Sequence, residues 1–318
     1  MRAASGSKER SGGADTGSVA RASGPRDGRN APRTWIGTSG WHYDSWWGPF
    51  YPEGLRKKDG FGYYVSRFAT TELNTPFYRT PSLDAVRSWA EQAPEGFVFA
   101  WKASKYITHW NRLTEGSANG LRLIEERLDI LGDKAGPVLF QLPPKMTVDR
   151  ERLAAFFRML SPRRRYTFEF RHPSWYEPAI LDLLREHDAS LCLSDHAAAP
   201  APWEATASFV YVRGHGPSGR YWGTYSDETL AKWAEDIRRW SDEGREVYCY
   251  FDNDIKSAAP ADAQRLMARV DAEQPGASAP PLKPRPARRA RGPDRPGGSS
   301  PPGPDTRVWS RSRGSSAR

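Results

Sequence analysis

The run Tyr166-Thr-Phe-Glu-Phe-Arg-His-Pro-Ser-Trp175 sets an acid, a guanidinium and an imidazole at the end of a short β-rich segment. Glu169 can give or take a proton, Arg171 can grip a carboxylate or phosphate through paired N–H donors, and His172 stands beside them. Pro173-Ser174 follows as a helix start, so all three fall at the carboxyl end of a strand, where parallel α/β proteins gather their chemistry. The competing reading is structural: a buried Glu169–Arg171 ion pair with His172 in a loop.

Chemistry-bearing residues recur after every apolar segment. Thr38, Ser39 and Gly40-Trp-His42 follow the first; Glu72, Asn74 and Tyr78 the second; Lys102 and Ser104 the third; Gln141 the fourth. Asp195-His196 follow the sixth, Arg213-Gly-His215 the seventh, and Asp252-Asn-Asp254 the eighth. Isolated charges inside a barrel are costly, so polar groups ending all eight segments point to a functional mouth. The catalytic candidates are Glu72, Lys102, Glu169, Arg171, His172 and Asp195. Those expected to contact substrate are Ser39, Trp41, Asn74, Tyr78, Arg213, His215 and Asn253.

Several chemistries are open to this set. Glu72, Glu169 and Asp195 suit acid–base work, with Lys102, Arg171 and Arg213 stabilising negative charge on an anionic substrate; alternatively each cation is paired with a neighbouring carboxylate. A divalent metal could use Glu72, Glu169, His172, Asp195, His196, His215 and Asp252, but three cations would repel it and no tight ligand spacing is present. No cofactor is required by the sequence. Gly37-Thr-Ser-Gly40 lacks the glycine spacing of a nucleophile elbow. The glycines around His215 and Ser218 could hold phosphate on backbone N–H groups or could simply permit turns. Trp41, Tyr43, Trp46, Trp47, Phe50 and Tyr51 crowd the first loop, as a stacking wall for a sugar or base or as a hydrophobic plug.

The elements that must position these groups are eight strands, expected at Trp35–Thr38, Thr70–Asn74, Phe97–Lys102, Pro137–Leu142, Tyr166–Phe170, Ser190–Ser194, Phe209–Val212 and Glu246–Phe251. Helical spacing separates them. Ser82 precedes Leu83, Val86 and Trp89; Leu121 to Leu131 ends at Gly132; Asp149 caps Leu153 to Leu160. Ser174 and Glu177 are expected to form a capping box, Asp227 opens a helix stopped by Gly244, and a last helix spans 261–270. Strands alternating with helices at this count and size give a single (β/α)8 TIM-like barrel over residues 34–273. Its sixth β/α unit is shortened, with only a Pro-rich loop or one helical turn between Asp195 and Phe209.

The net charge of +9 misleads. Residues 1–33 hold seven Lys or Arg against three Asp or Glu, and residues 274–318 hold ten against two. The tails therefore carry +4 and +8, and the middle carries −3. Rich in Gly, Ser, Pro and Arg, both tails read as disordered basic extensions. They are either inert or weak, salt-sensitive attractants for nucleic acid. No apolar run can span a bilayer and the N-terminus has no secretory core, so no membrane partner is expected. Cys192 and Cys249 lie in strand-like runs as buried hydrophobes, and a reducing cytoplasm is the simplest location.

Gly37-Thr-Ser-Gly-Trp41 with Trp46 and Phe50-Tyr-Pro52 resembles the opening of domain-of-unknown-function family 72, the YecE-like proteins. Glu72-Leu-Asn74 with Phe77-Tyr78, Phe99-Ala-Trp-Lys102, Leu139-Phe-Gln-Leu-Pro143, Glu169-Phe-Arg-His172, Tyr211-Val-Arg-Gly-His215 and Tyr250-Phe-Asp-Asn253 extend the resemblance over about residues 35–270. The resemblance implies a TIM barrel but supplies no reaction, and the tails have no counterpart in it. Two function classes follow. One is an enzyme, a hydrolase, lyase or isomerase, acting on an anionic or sugar- or phosphate-like small molecule at the barrel mouth. The other is a nucleic-acid-binding or repair-type, endonuclease-like barrel whose basic tails contact the phosphate backbone.

Overall fold

Apolar runs too short for helices become strands here because both faces of each are covered. In the computed structural model, which describes residues 33–273, they are β1 (Thr34–Thr38), β2 (Thr70–Leu73), β3 (Val98–Lys102), β4 (Ala135–Gln141), β5 (Tyr166–Glu169), β6 (Ser190–Ser194), β7 (Phe209–Gly214) and β8 (Glu246–Phe251). Apart from Arg33, both tails lie outside the described residues. The strands pair in parallel in the order β1-β8-β7-β6-β5-β4-β3-β2, the nearly closed barrel expected from the sequence.

The remaining seam, between β1 and β2, is reduced to one bridge at Ser39 and Glu72. The Tyr64 hydroxyl fills in for the missing ladder: it accepts from the Thr38 N–H at 3.2 Å and donates to the Thr70 carbonyl at 3.0 Å. Gly37 is required by the same closeness, since a Cβ there would lie 2.5 Å from the Thr70 oxygen.

The intervening helices are α1 (Gly60–Val65), α2 (Thr75–Tyr78), α3 (Leu83–Gln92), α4 (Ala118–Leu131), α5 (Arg150–Phe157), α6 (Pro178–Glu186), α7 (Asp227–Asp242) and α8 (Ala258–Glu273). Ser82 and Asp149 cap α3 and α5 by accepting from Ala85 and Arg152 N–H groups. Between β6 and β7 no helix intervenes, as the shortened sixth unit requires. The capping box does not form. Pro178, at the first turn of α6, lacks an N–H and already fixes φ, so the helix starts after Glu177 without a side-chain cap. Ser174 instead accepts from the Val148 N–H at 2.9 Å.

Each strand buries alternate residues on opposite sides. Val210, Val212, Val247, Cys249 and Phe251 pack outward in the larger apolar cluster, whereas Phe209, Tyr211, Tyr248 and Tyr250 join Trp35, Ala100 and Cys192 in a second, inner cluster. The inner faces thus start aromatic at the bottom, with Trp35 stacked on Tyr248 at 4.8 Å. They turn charged toward the strands' carboxyl ends. Both cysteines are buried free thiols. Among the described residues, no helix is long and apolar enough to cross a membrane.

Candidate active site at the barrel mouth

The inward parity that carries Phe209 and Tyr211 continues to Arg213 and His215; on the other strands it reaches Ser39, Glu72, Lys102, Gln141, Glu169, Ser194 and Asp252. Arg213 is the hub. Its Nε and Nη2 meet the two Glu72 oxygens at 3.0 and 2.8 Å, Nη1 meets Glu169 at 2.9 Å, and Nη2 meets Asp252 at 2.7 Å. Arg171, two residues beyond Glu169 and so on the same face, pairs with that acid at 2.6 Å. Burial pushes the Glu169 carboxyl up, but Arg171 and Arg213 outweigh it and hold the group well below its usual range.

Donor and acceptor roles follow from this packing. Ser39 donates to Glu72 at 2.5 Å, so its lone pairs accept from Asn74 Nδ2 at 2.8 Å and Arg213 Nη2 at 3.3 Å. That fixes the Asn74 amide and leaves its Oδ1 buried and unpartnered. The Nε2 of His215 faces two guanidinium donors, Arg171 and Arg213, each at 3.1 Å. Nε2 must therefore accept, and Nδ1 carries the proton toward Asp195 at 3.3 Å. Tyr211 donates to Glu72 at 2.7 Å, and Arg171 donates to the Tyr221 hydroxyl at 2.9 Å.

Above this charged floor opens a cavity of about 860 Å³, lined by Trp41, His42, Tyr43, Asn74, Thr75, Phe77, Tyr78, Trp89, Lys102, Gln141, Tyr221, Asp252 and Asp254. The volume suits a small organic ligand. Lys102 reaches it at 6 % exposure, with its amine 4.6 Å over the Phe77 ring. Among the described residues this amine has no hydrogen bond or ion pair, only longer-range charges. Burial, with Arg213 second, lowers its pKa from 10.5 to about 8, against the opposing pull of Asp252, Glu72 and Glu169. Asp254, by contrast, is raised to about 6 by burial and by Asp252.

The expected site residues divide accordingly. Lys102, Asn74, Trp41 and Tyr78 line the cavity. Ser39, Glu72, Glu169, Arg171 and His215 form its floor, each 5 % exposed or less. Arg213, expected to contact substrate, is 0 % exposed and its fork is paired with three carboxylates.

His172, Asp195 and Asn253 are each one residue out of the inward parity, and Asp195 meets the floor only through His215. His172 Nδ1 turns to the Ser174 hydroxyl at 2.9 Å. Asp195 accepts from the His215 backbone N–H at 2.7 Å and from the Tyr225 hydroxyl. Asn253 donates to the Gly223 carbonyl at 2.7 Å and to Asp262 at 2.8 Å. Sequence reading overlooked Tyr221 and underused Asp252 and Asp254; Asp252 keeps the period of Tyr248 and Tyr250, and Asp254 follows it by two. Among the described residues no group of His, Cys, Asp or Glu is arranged to hold a metal ion.

The first loop is partly a buried plug and partly cavity lining. Trp46 and Tyr51 are fully buried and Tyr51 stacks on Trp47 at 4.6 Å, while Trp41 and Tyr43 face the cavity. Among the described residues the exposed aromatics are instead Tyr78, at the end of α2, and Tyr106, Trp110 and Trp222, in the segments after β3 and β7. Positive φ is found at Arg112 and Leu113 after β3, Tyr221 after β7 and Lys256 and Ser257 after β8, as well as at Asp188 before β6.

Comparison with known proteins agrees with this architecture. The curated UPF0759 protein YunF of Bacillus subtilis is 24% identical over 280 residues, covering 76% of this chain and 96% of its own. A crystal structure of a DUF72 family protein from Thermotoga maritima superposes with a TM-score of 0.68 at 26% identity, covering 75% of this chain and 99% of that one. One from Enterococcus faecalis has a TM-score of 0.62 at 20% identity, covering 76% and 99%, and shares the fold. The family profile described as "Protein of unknown function DUF72" matches residues 35–288, so the chain belongs to that family.

Proposed function

We propose that the barrel mouth is the active site of an enzyme, an isomerase, lyase or hydrolase, acting on an oxygen-rich small molecule that carries or develops negative charge. The observation that carries this reading is Lys102, a buried amine facing an 860 Å³ cavity without a partner of its own. A cation held only for structure would be expected to sit in direct contact with its acids, as Arg171 and Arg213 do. With both arginines paired, recognition of an anionic oxygen falls to Lys102, supported by the Gln141 amide on the cavity wall. Asp254 at about 6 and Lys102 at about 8 bracket neutral pH. The carboxylate is then mostly ionised and able to take a proton, and the ammonium is mostly charged and able to stabilise an oxyanion or return a proton.

Thermal unfolding of the full chain against a panel of phosphorylated and carboxylated sugars tests this. The expected result is a stabilising ligand whose effect is lost in Lys102→Met and retained in Lys105→Met. Stabilisation that survives Lys102→Met removes the amine from the site.

A second reading draws on the exposed Tyr78, Tyr106 and Trp110, with Lys105 5.3 Å over the Trp110 ring. Such a rim suits stacking of an extruded base, the nucleic-acid alternative. Single-stranded oligonucleotide binding that Trp110→Ala abolishes at moderate salt would favour it over the small-molecule enzyme.

A further inference from the structure

We propose that Lys102 is a nucleophile that condenses with a carbonyl carbon of the substrate to form an imine, which makes the substrate an aldehyde or ketone. This inference rests on the active-site reading above and narrows it toward a lyase or isomerase.

The geometry is that of an amine set up for attack. Lys102 ends β3 and stands in the mouth at 6 % exposure, its Nζ over the apolar face of Phe77. The two neighbouring guanidiniums turn toward Glu72, Glu169 and Asp252, and among the described residues no carboxylate oxygen lies within ion-pair distance of the amine. The charged groups around it are Asp252 from the β8 end, Glu72 from β2, Glu169 from β5, Arg213 from β7, and His109 in the loop after β3. With a pKa of about 8, the amine at pH 7 is free of its proton roughly 300-fold more often than an ordinary lysine. A desolvated lysine of this kind is a recognised covalent catalyst.

The step balances without an oxidant. The nitrogen lone pair attacks the carbonyl carbon while the C=O π pair moves to oxygen, and one proton passes from nitrogen to that oxygen. A second proton converts the hydroxyl to water, which leaves as the nitrogen pair forms the C=N bond. An ammonium and a carbonyl thus become an iminium and water. The iminium withdraws electrons from a neighbouring C–H or C–C bond, and Asp254, on the same cavity wall, takes the proton released.

The test uses the full chain and two probes. Pentane-2,4-dione forms a stable enaminone with a nucleophilic lysine, and dihydroxyacetone phosphate with cyanoborohydride traps an iminium as a secondary amine. Peptide mass spectrometry should place both adducts on Lys102, at least tenfold faster than on the half-buried Lys105, with a rate that rises through pH 8. Lys102→Arg, which keeps the charge, should remain folded and form neither adduct. If dihydroxyacetone phosphate raises the melting temperature while Lys102 stays unmodified, the imine is overturned and the active-site reading stands. If neither probe binds or labels Lys102, both are overturned.

Discussion

Removing the guanidinium of Arg213 should come close to unfolding this protein. Arg213→Met leaves Glu72 and Glu169, each 0 % exposed, and Asp252, at 6 %, without the counter-charge they converge on. Breaking a buried ion pair from one side costs about 3–5 kcal/mol, because the remaining charge keeps its burial penalty. Three acids meet this cation and only Glu169 keeps a second arginine, Arg171, so the upper end applies, a large part of the roughly 5–15 kcal/mol that holds a domain folded. Arg213→Lys keeps the charge but replaces a planar fork with a point donor that cannot serve Glu72 bidentately, so an intermediate loss is expected.

Urea unfolding followed by tryptophan fluorescence at pH 7 measures both. The pH dependence adds a check with a definite sign. Glu169 titrates below its usual 4.5 in the folded state, so its contribution is present above pH 4.5 and is lost as pH falls below it. Without Arg213 that contribution shrinks to what Arg171 supplies, so the gap between wild type and Arg213→Met should narrow as pH drops below about 4.5. A variant within about 1 kcal/mol of wild type at pH 7 would refute the hub argument.

Four further outcomes follow. The amine of Lys102 is lowered from 10.5 to about 8, so folding carries a penalty present in full below pH 8 that fades as pH rises to 10.5. Lys102→Met should thus be more stable than wild type at pH 7, by about 3 kcal/mol at most, and should lack the wild-type gain between pH 8 and 10.5; chemical denaturation across that range reads it. Gly37→Ala should cost about 1–3 kcal/mol in the same assay, because its Cβ would press within 2.5 Å of the Thr70 carbonyl at the β1–β2 seam. Trp46→Ala, at a fully buried position, should cost about 3–5 kcal/mol. Trp222→Ala, at 56 % exposure, should stay within about 0.5 kcal/mol, which thermal melts can distinguish.

The strands were legible because covered parallel strands are written as short apolar runs, and the observed bounds fall within two residues of the expected ones. The same continuity hid their parity. In Phe209-Val-Tyr-Val212 both faces are apolar, so nothing in the hydrophobic pattern marks Arg213 as inward and the residues flanking it as outward. Counting by two from Tyr248 and Tyr250 reaches Asp252 and passes over Asn253; counting from Glu169 reaches Arg171 and passes over His172. Period-two counting therefore sorts candidates that residue type alone had pooled. Composition could not decide whether the arginines were clamps or counter-ions. That depends on which carboxylates the barrel closure brings to Arg213, and Glu72 and Glu169 lie far from it in sequence. Tyr221 was invisible for a different reason: it enters the mouth from a glycine-bounded loop at φ 68°, outside any strand or helix pattern.

The most direct test of the central claim is an NMR titration of the Lys102 side chain, using full-length protein with 13C-labelled lysine and Lys102→Arg for assignment. A midpoint near pH 8, displaced when a stabilising sugar phosphate is added, is what a ligand-facing, partnerless amine predicts. A midpoint at or above the ordinary 10.5, indifferent to every ligand offered, would make Lys102 one more structural counter-ion and leave the mouth without its reactive group.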